Sequence, residues 1–166
     1  MRRYVTKKQS YPVWPATILR DTQEKKRAWR FGPATKWRWQ KKRLPTGDYS
    51  IRGFEKIIAI ERKNSLDELL ASLCGKRRDR FKRELKRMLA FPVRLLVVED
   101  DYSRIGEVYD WRDSPVTSAK NTLDFWIAEI AVRYRTPVLF IGSQPDKKLL
   151  DVLFEKCYEQ ALQEKR

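Results

Sequence analysis

Short apolar runs separated by polar turns fill the first third of the chain. They lie at residues 14–19, 37–39, 49–51 and 57–60, and each is interpreted as a short β-strand; the run 37–39, Trp-Arg-Trp, alternates as a strand should. A Pro-Thr-Gly turn at 45–47 precedes the third run. The pattern therefore predicts a β-meander with a Gly-Asp pair at its second bend.

The spacing of apolar residues changes to that of helices after the fourth run. Ser65, followed three residues later by Glu68, forms a capping-box pattern, and leucines at helical spacing run from 66 to 73 until Gly75 ends them. A second helix is predicted over the basic stretch that follows. Its inner face would carry Phe81, Leu85, Met88 and Leu89.

Strands and helices alternate in the second half of the chain. A buried-type strand at 94–98 is followed by a long helix that starts at 113–115. A core strand at 137–141 and a terminal helix that Asp146 opens complete the series. This alternation predicts an α/β fold in which a mixed central sheet is flanked by helices.

The size and the charge of the chain indicate one domain with a polyanionic partner. Its 166 residues are enough for one domain, which we assign to residues 14–166 after a flexible basic N-terminus at 1–13. The net charge of +15 is concentrated in two blocks, since residues 1–43 carry 14 basic and 2 acidic side chains and residues 76–94 carry 9 and 2. Nucleic acid is therefore the first partner to consider, and an anionic membrane is the second.

Missing sequence features narrow the possible functions. No apolar run approaches the roughly 18 residues of a membrane helix, and the N-terminus lacks a secretory signal, so we expect a soluble, cytoplasmic protein without a membrane partner. Cys74 and Cys157 stand alone, which argues against a disulfide framework or a zinc site. Histidine is absent. Any catalysis must therefore rest on carboxylates, lysine and a hard metal ion.

Asp48, Glu61 and Lys63 form the most informative group in the sequence. Asp48 precedes one predicted strand, while Glu61 and Lys63 end the next, where their spacing of two places them on the same side of the sheet. Antiparallel pairing of these strands would bring Asp48 alongside. Two carboxylates can hold Mg²⁺ against a phosphate, and a lysine can orient or deprotonate the attacking water. The alternative is a solvated salt-bridge cluster in which Asp48 serves the turn.

Two motifs around these residues resemble a known family. Gly47-Asp48-Tyr49 and the segment 61–67, Glu-Arg-Lys-Asn-Ser-Leu-Asp, resemble the G-D-[YF] and E-R-K-x-x-x-D motifs of the XPF-type (ERCC4 domain) endonuclease family. That family lies in the PD-(D/E)xK restriction-endonuclease-like superfamily. Residues 21–24, Asp-Thr-Gln-Glu, resemble its upstream D-x-R-E element, with Gln23 in the place of the arginine. The resemblance covers nearly the whole chain, and we expect a nuclease domain without the family's tandem helix-hairpin-helix module.

The resemblance implies an activity, a cofactor and partners. The chain would be a DNA endonuclease with a restriction-endonuclease-like fold that depends on Mg²⁺ or Mn²⁺. Its substrate would be branched, flapped or forked DNA, and it would form a homodimer through the nuclease domain. A small nuclease without the hairpin module would suit a prokaryotic or phage setting.

The resemblance also assigns roles to individual residues. Asp48, Glu61 and the backbone carbonyl of Arg62 would hold the metal, and Lys63 would serve the attacking water. Asp67 would stabilise the motif from the first turn of the following helix. Two accessory acids complete the implied catalytic group, namely Asp21 and Glu24.

Basic side chains supply the predicted DNA contacts, because few acids are present to pair with them. These side chains are Arg77, Arg78, Lys82, Arg83, Lys86 and Arg87 on the second helix, and Arg38 and Lys41 in the N-terminal block. The alternative is a solvated helix face laced by Asp79 and Glu84. Similarly, Trp29, Trp37 and Trp39 are expected either to stack unpaired bases or to pack in the core.

Other interpretations stay open at the level of sequence. A catalytically inactive DNA-binding partner of the same fold is one, although such partners typically lose the acids that this chain keeps. A basic RNA-binding or ribosome-associated protein is another, but it would not explain the Gly-Asp-Tyr and Glu-Arg-Lys motifs. Glu99 is either a third acid of the site or a loop acid beside Asp100 and Asp101.

Overall fold

The computed structural model describes most of the chain. It covers residues 16–24, 28–29, 31, 37–105 and 116–165. The predicted flexible N-terminus at 1–13, the predicted helix start at 113–115 and Trp111 lie outside these residues.

Six strands form one mixed sheet in the order β2-β1-β3-β4-β5-β6. Their bounds are Thr17–Arg20 (β1), Arg38–Lys41 (β2), Tyr49–Ile51 (β3), Ile58–Lys63 (β4), Val93–Val98 (β5) and Val138–Phe140 (β6). β3 is antiparallel to both of its neighbours, whereas the pairs β1–β2, β4–β5 and β5–β6 are parallel. The carboxyl ends of five strands and the amino end of β3 therefore meet at one edge of the sheet.

Four helices of the described chain accompany the sheet, at Leu66–Leu73 (α1), Arg78–Met88 (α2), Val116–Val132 (α3) and Lys147–Glu164 (α4). The predicted capping box is present at α1 in a variant form, because Glu68 binds the backbone of the residue before the N-cap Ser65. Ser65 Oγ accepts a hydrogen bond of 3.2 Å from Glu68 N, and Glu68 Oε2 accepts one of 2.8 Å from Asn64 N. Asp146 caps α4 by accepting from Lys148 N at 3.1 Å, as its position predicts.

Two apolar layers lie on opposite faces of the sheet, which confirms the predicted mixed sheet with flanking helices. One layer joins β4 and β5 to α1, α2 and α3, through residues such as Leu69, Leu85 and Ile130. The other joins the sheet to α4 and to aromatic residues of the N-terminal region, through residues such as Ile18 and Phe154. Of the helices described, none is long and apolar enough to cross a membrane.

Two strands extend into polar residues beyond the apolar runs that predicted them. The predicted strand at 57–60 reaches Lys63, because its ladder with β5 continues through Glu61↔Leu96 and Lys63↔Val98. The predicted strand at 37–39 is shifted to Arg38–Lys41, where each residue pairs with β1. Backbone pairing does not depend on apolar side chains, so polar residues at the ends of both strands were missed.

Gly47 is predicted to be far less tolerant of substitution than Gly53. Both have positive φ, 76° and 84°, but a Cβ on Gly47 would lie 3.0 Å from the carbonyl oxygen of Ile60, whereas a Cβ on Gly53 would meet nothing within 4 Å. Both alanine variants incur the left-handed backbone penalty of about 1–2 kcal/mol, and only Gly47→Ala adds a backbone collision. Urea unfolding should show a clearly larger loss for Gly47→Ala than for Gly53→Ala, and equal losses would contradict this packing.

Candidate active site

Glu61 and Lys63 project from the carboxyl end of β4 on the same side of the sheet. Lys63 Nζ donates to Glu61 Oε1 at 2.7 Å, and each of the two residues is only 8% exposed. The ammonium group also lies 4.7 Å from the centre of the Phe81 ring on α2. The alternation of the strand therefore creates a buried acid–lysine pair, as the spacing of two predicts.

Asp48 reaches the same edge from the start of β3. Its backbone N–H donates to Ile60 O at 2.8 Å, which ties the residue to β4. Its carboxylate Oδ2 in turn accepts from the backbone N–H of Arg62 at 2.8 Å. Because Arg62 stands between Glu61 and Lys63 in the strand, these two bonds fix Asp48 beside the acid–lysine pair.

Two carboxyl groups, those of Asp48 and Glu61, share a single ammonium group, that of Lys63. Burial, followed by repulsion from Glu61, holds the pKa of Asp48 well above its usual range, and the hydrogen bond from Arg62 only partly offsets this. Burial acts to lower the pKa of Lys63, but attraction to Glu61 outweighs it and raises that pKa. Lys63 is therefore an ammonium ion, and one ammonium group faces two carboxyl groups.

Arg62 points to the opposite face of the sheet and binds two further acids. Its Nε and Nη2 atoms donate to the two carboxylate oxygens of Glu99, each at 2.7 Å, and Nη1 donates to Glu24 at 2.5 Å. Glu99 also accepts from the indole N–H of Trp29. Glu99 is thus neither a third acid facing the cleft nor a loop acid, because it lies buried beneath the site as the partner of Arg62.

A polar cleft of about 490 Å³ opens above these groups. Six residues of the implied catalytic group line it, namely Asp21, Glu24, Asp48, Glu61, Arg62 and Lys63. Both carboxylate oxygens of Asp21 are engaged, because Oδ2 accepts from Leu44 N at 2.7 Å and Oδ1 binds Arg43 at 3.0 Å. Asp21 therefore shapes the wall formed by the loop before Asp48.

Two acids near the start of α1 occupy different positions. Asp67, which the resemblance placed in the catalytic group, is exposed in the first turn of α1 and does not line the cleft. Its neighbour Glu68 does line the cleft, besides completing the capping box. The capping-box pattern had identified Glu68 as structural, and no signal in the sequence gave it a place in the cleft wall.

The basic helix α2 has two distinct rows of side chains. One row faces the cleft and consists of Arg77, Arg80, Glu84 and Arg87. The second row lies on Trp126 of α3, with Arg78 at 5.1 Å and Lys82 at 5.2 Å from the ring centre. Arg80 was not among the predicted DNA contacts. Its spacing of three from Arg77 and seven from Arg87 nevertheless places all three on one helical face. Arg83 and Lys86 are exposed outside the cleft.

The tryptophans differ in burial. Trp29 and Trp37 are buried in the core, and Trp126 is buried against α2 and its own helix. Trp39 is 38% exposed on the edge strand β2. The predicted contacts Arg38 and Lys41 are exposed on the same strand and do not line the cleft.

The donor chemistry of the cleft suits a hard cation, although the set of acids is small. Within the parts of the chain that the structure describes, no group of three or more His, Cys, Asp or Glu side chains is arranged to hold a metal ion. Asp48 Oδ1 and Glu61 Oε2 are nevertheless without a protein hydrogen-bond partner among the described residues. Carboxylate oxygens are the ligands that Mg²⁺ prefers, and a cation would offset the repulsion that raises the pKa of Asp48.

Comparisons with known proteins place this chain in a family. The family model for the ERCC4 domain matches residues 21–147. XPF from Aeropyrum pernix, solved in complex with DNA, matches with a TM-score of 0.58 and 17% identity over 90% of this chain and 66% of that chain. A second structure of XPF from Aeropyrum pernix gives 0.57 and 17%, over 88% and 65%. The chain therefore spans slightly under two thirds of those structures and shares their fold. No curated protein sequence matches it.

Glu99→Ala is predicted to destabilise the fold by about 3 kcal/mol, because it removes the bidentate partner of a buried guanidinium. Urea unfolding measures the loss. Glu129→Ala is the matched control, since it removes the partner of exposed Arg133 and should have a much smaller effect. A loss for Glu99→Ala no larger than that of the control would contradict the burial of this network.

Asp48→Asn is predicted to change how stability depends on pH without metal. Because the folded-state pKa of Asp48 lies above the unfolded value, the folded state binds more protons, and stability should fall as pH rises from the unfolded pKa towards the folded one. The amide introduced in the variant still accepts a hydrogen bond from Arg62 N but does not titrate, so its stability should not fall in this pH range. The stability of the variant relative to wild type should therefore increase with pH and then level off.

Urea unfolding in EDTA across this pH range tests the expected pH dependence. Asp79→Asn, which changes an exposed acid on α2, should leave the wild-type profile almost unchanged. Parallel profiles for wild type and Asp48→Asn would show that Asp48 has no raised pKa.

Proposed function

Because the chain belongs to the ERCC4 domain family, we propose that it is a metal-dependent endonuclease that hydrolyses phosphodiester bonds of DNA. The observation that carries this proposal is the buried Glu61–Lys63 pair beside Asp48, at the base of a cleft bordered by arginines. A surface ion pair would have no reason to be buried next to a second carboxylate, because that burial is unfavourable.

The residues of the cleft have separate roles in this proposal. Asp48 and Glu61 would hold Mg²⁺ or Mn²⁺, with the carbonyl of Arg62 as a further ligand. The bound ion would polarise the scissile phosphate and lower the pKa of a water molecule. Lys63, kept charged by Glu61, would orient that water and stabilise negative charge on the phosphate. Asp21 and Glu24 would act as accessory acids, one through the cleft wall and the other through Arg62.

The arginines of α2 would bind the DNA backbone on one side of the cleft. Arg77, Arg80 and Arg87 face the cleft, and a phosphate approaching them would meet several guanidinium groups at once. Contacts of this kind do not depend on sequence, so the substrate would be selected by its shape, as a branch, flap or fork. Arg83, Lys86 and the basic N-terminal block would extend the contacts with DNA phosphates beyond the cleft.

A second candidate function is that of an inactive DNA-binding module of the same fold. The specific observation in its favour is the small acid set, since the described residues contain no cluster of three metal-ligating side chains. Such a module would bind DNA through the same arginines and would not cut it.

Metal-dependent cleavage tests the first candidate against the second. End-labelled linear, forked, flapped and four-way DNA should be cut with Mg²⁺ or Mn²⁺, bound without appreciable turnover with Ca²⁺, and left intact in EDTA. Asp48→Ala should abolish cutting. Tight binding without cutting by the wild type would support the inactive module, and undiminished cutting in EDTA would contradict metal dependence.

Lys63→Ala is predicted to lower the rate of cleavage by about 10²–10³-fold while leaving DNA affinity almost unchanged. The reason is that Lys63 lies at the base of the cleft and is neutralised by Glu61, so it adds little to the phosphate grip. Lys56→Ala removes an exposed lysine far from the cleft and should change neither quantity. Equal losses of rate and affinity in Lys63→Ala would instead assign Lys63 to phosphate binding.

A homodimer through the helical layer is also part of the proposal. Phe125 and Val132, seven residues apart on one face of α3, are 61% and 78% exposed, and Leu149 and Val152 are exposed on α4. Large exposed apolar side chains on one helical face are typical of interaction surfaces, and α3 and α4 offer such faces on opposite sides of the sheet. Light scattering at micromolar concentration should give the mass of a dimer, and Phe125→Asp should give that of a monomer. A wild-type monomer would contradict this part.

A further inference from the structure

Arg20, Trp39 and Lys41 lie together at the edge of the sheet. β1 and β2 pair in the register Ile18↔Trp39 and Arg20↔Lys41, so the three side chains project from one face. The guanidinium carbon of Arg20 lies 4.3 Å from the centre of the Trp39 ring. Trp39 has no other ring contact among the described residues, and Lys41 is exposed beside it. We call Arg20, Trp39 and Lys41 the edge platform.

The cations of the edge platform are not neutralised by acids. Within the described ranges, no carboxylate lies within salt-bridge distance of Arg20 or Lys41, whereas Arg43, only two residues beyond Lys41, is paired with Asp21. The Nε atom of Arg20 is buried and has no hydrogen-bond acceptor there. The platform therefore combines an exposed aromatic face with unpaired positive charge, a combination that folding alone does not require.

The edge platform lies beside the wall of the cleft but around the edge of the sheet. It projects from the face that carries Ile18 and Ile60, whereas Glu61 and Lys63 project from the opposite face. Asp21 directly follows Arg20, and Arg43 follows Lys41 after one residue; both line the cleft. Lys42 N donates to Arg20 O at 2.9 Å, which holds the two connections together. Trp39 and Arg43 are four residues apart, so their Cα atoms are separated by no more than about 14 Å. A nucleic-acid strand that leaves the cleft over this wall and turns around the ends of β1 and β2 would reach the platform within a few nucleotides.

We propose that the edge platform binds an unpaired nucleotide of the DNA substrate, with a base stacked on Trp39 and the flanking phosphates at Arg20 and Lys41. Every base has a flat π-face, so stacking on an aromatic side chain does not depend on sequence, while cations follow the backbone. Bases inside a duplex are already stacked on each other and cannot use the platform. The platform would therefore engage only an unpaired arm of the branched, flapped or forked DNA already proposed as the substrate. This inference rests on the proposed function.

The other tryptophans of the region show why Trp39 is singled out. Trp29 and Trp37 are 4% and 3% exposed and belong to the aromatic core around Phe154, so packing accounts for them. Trp39 is 38% exposed and belongs to neither apolar layer. Core packing therefore does not account for its ring.

Fluorescence anisotropy in EDTA, which prevents cleavage, tests the edge platform. The probes are a blunt duplex, the same duplex with a short thymidine arm, and the same duplex with an arm of abasic nucleotides. The last two carry equal numbers of phosphates and differ only in their bases. The wild type should bind the thymidine arm about tenfold more tightly than the abasic arm. Trp39→Ala should remove this difference, and Trp39→Phe should keep most of it.

Control variants and controls on folding separate stacking from structure. Tyr102→Ala removes an aromatic side chain that is 37% exposed elsewhere and should leave the preference for the thymidine arm intact. Thermal unfolding checks that each variant folds, and the comparison of arms with the wild type needs no variant at all. Equal affinity of the wild type for both arms would overturn the edge platform, as would an equal loss of blunt-duplex affinity in Trp39→Ala.

The outcomes also distinguish this inference from the proposed function. Binding of the blunt duplex without a preference between the arms would overturn the platform alone and leave the nuclease proposal standing. If none of the three probes bound, both proposals would fall together.

Discussion

The buried ion network of Arg62 is the interaction on which the rest of the candidate site depends. Its side chain joins β4 to Glu99 after β5 and to Glu24 after β1, while its backbone N–H holds the carboxylate of Asp48. One residue thus fixes three segments of the chain at the sheet edge. Its side chain occupies the opposite face from Glu61 and Lys63, so the network supports those residues from the other side of the strand.

The mixed direction of the strands explains why distant residues meet. In an all-parallel sheet, the amino end of β3 would lie at the far edge, and Asp48 would be a strand's length from Glu61. Because β3 is antiparallel to β1 and β4, its first residues lie beside the carboxyl ends of both neighbours. Gly47 makes this approach possible, since its missing Cβ leaves room for the backbone of Ile60.

Local sequence signals predicted much of the fold and the central residues of the site, whereas tertiary contacts decided the rest. The family resemblance is confirmed, and the spacing of Glu61 and Lys63 correctly placed both on one face. The role of Glu99 could not be read from sequence, because its partner lies 37 residues away and a strand-end acid has no periodic signature. Arg80 could have been found from its helical spacing. The neighbourhood of Trp39 depends on parallel pairing between β1 and β2, which the predicted β-meander did not include.

The two rows of α2 also bear on how this surface can diverge among related proteins. Arg78 and Lys82 cover Trp126 and so contribute to the packing of α2 against α3, whereas Arg77, Arg80 and Arg87 line the cleft, where Arg87 is ion-paired with Glu84. Substitutions in the cleft row therefore alter the electrostatic potential over the site with little penalty in folding free energy. Mutations at these three positions can therefore change ligand preference, while Arg78 and Lys82 keep α2 packed against α3.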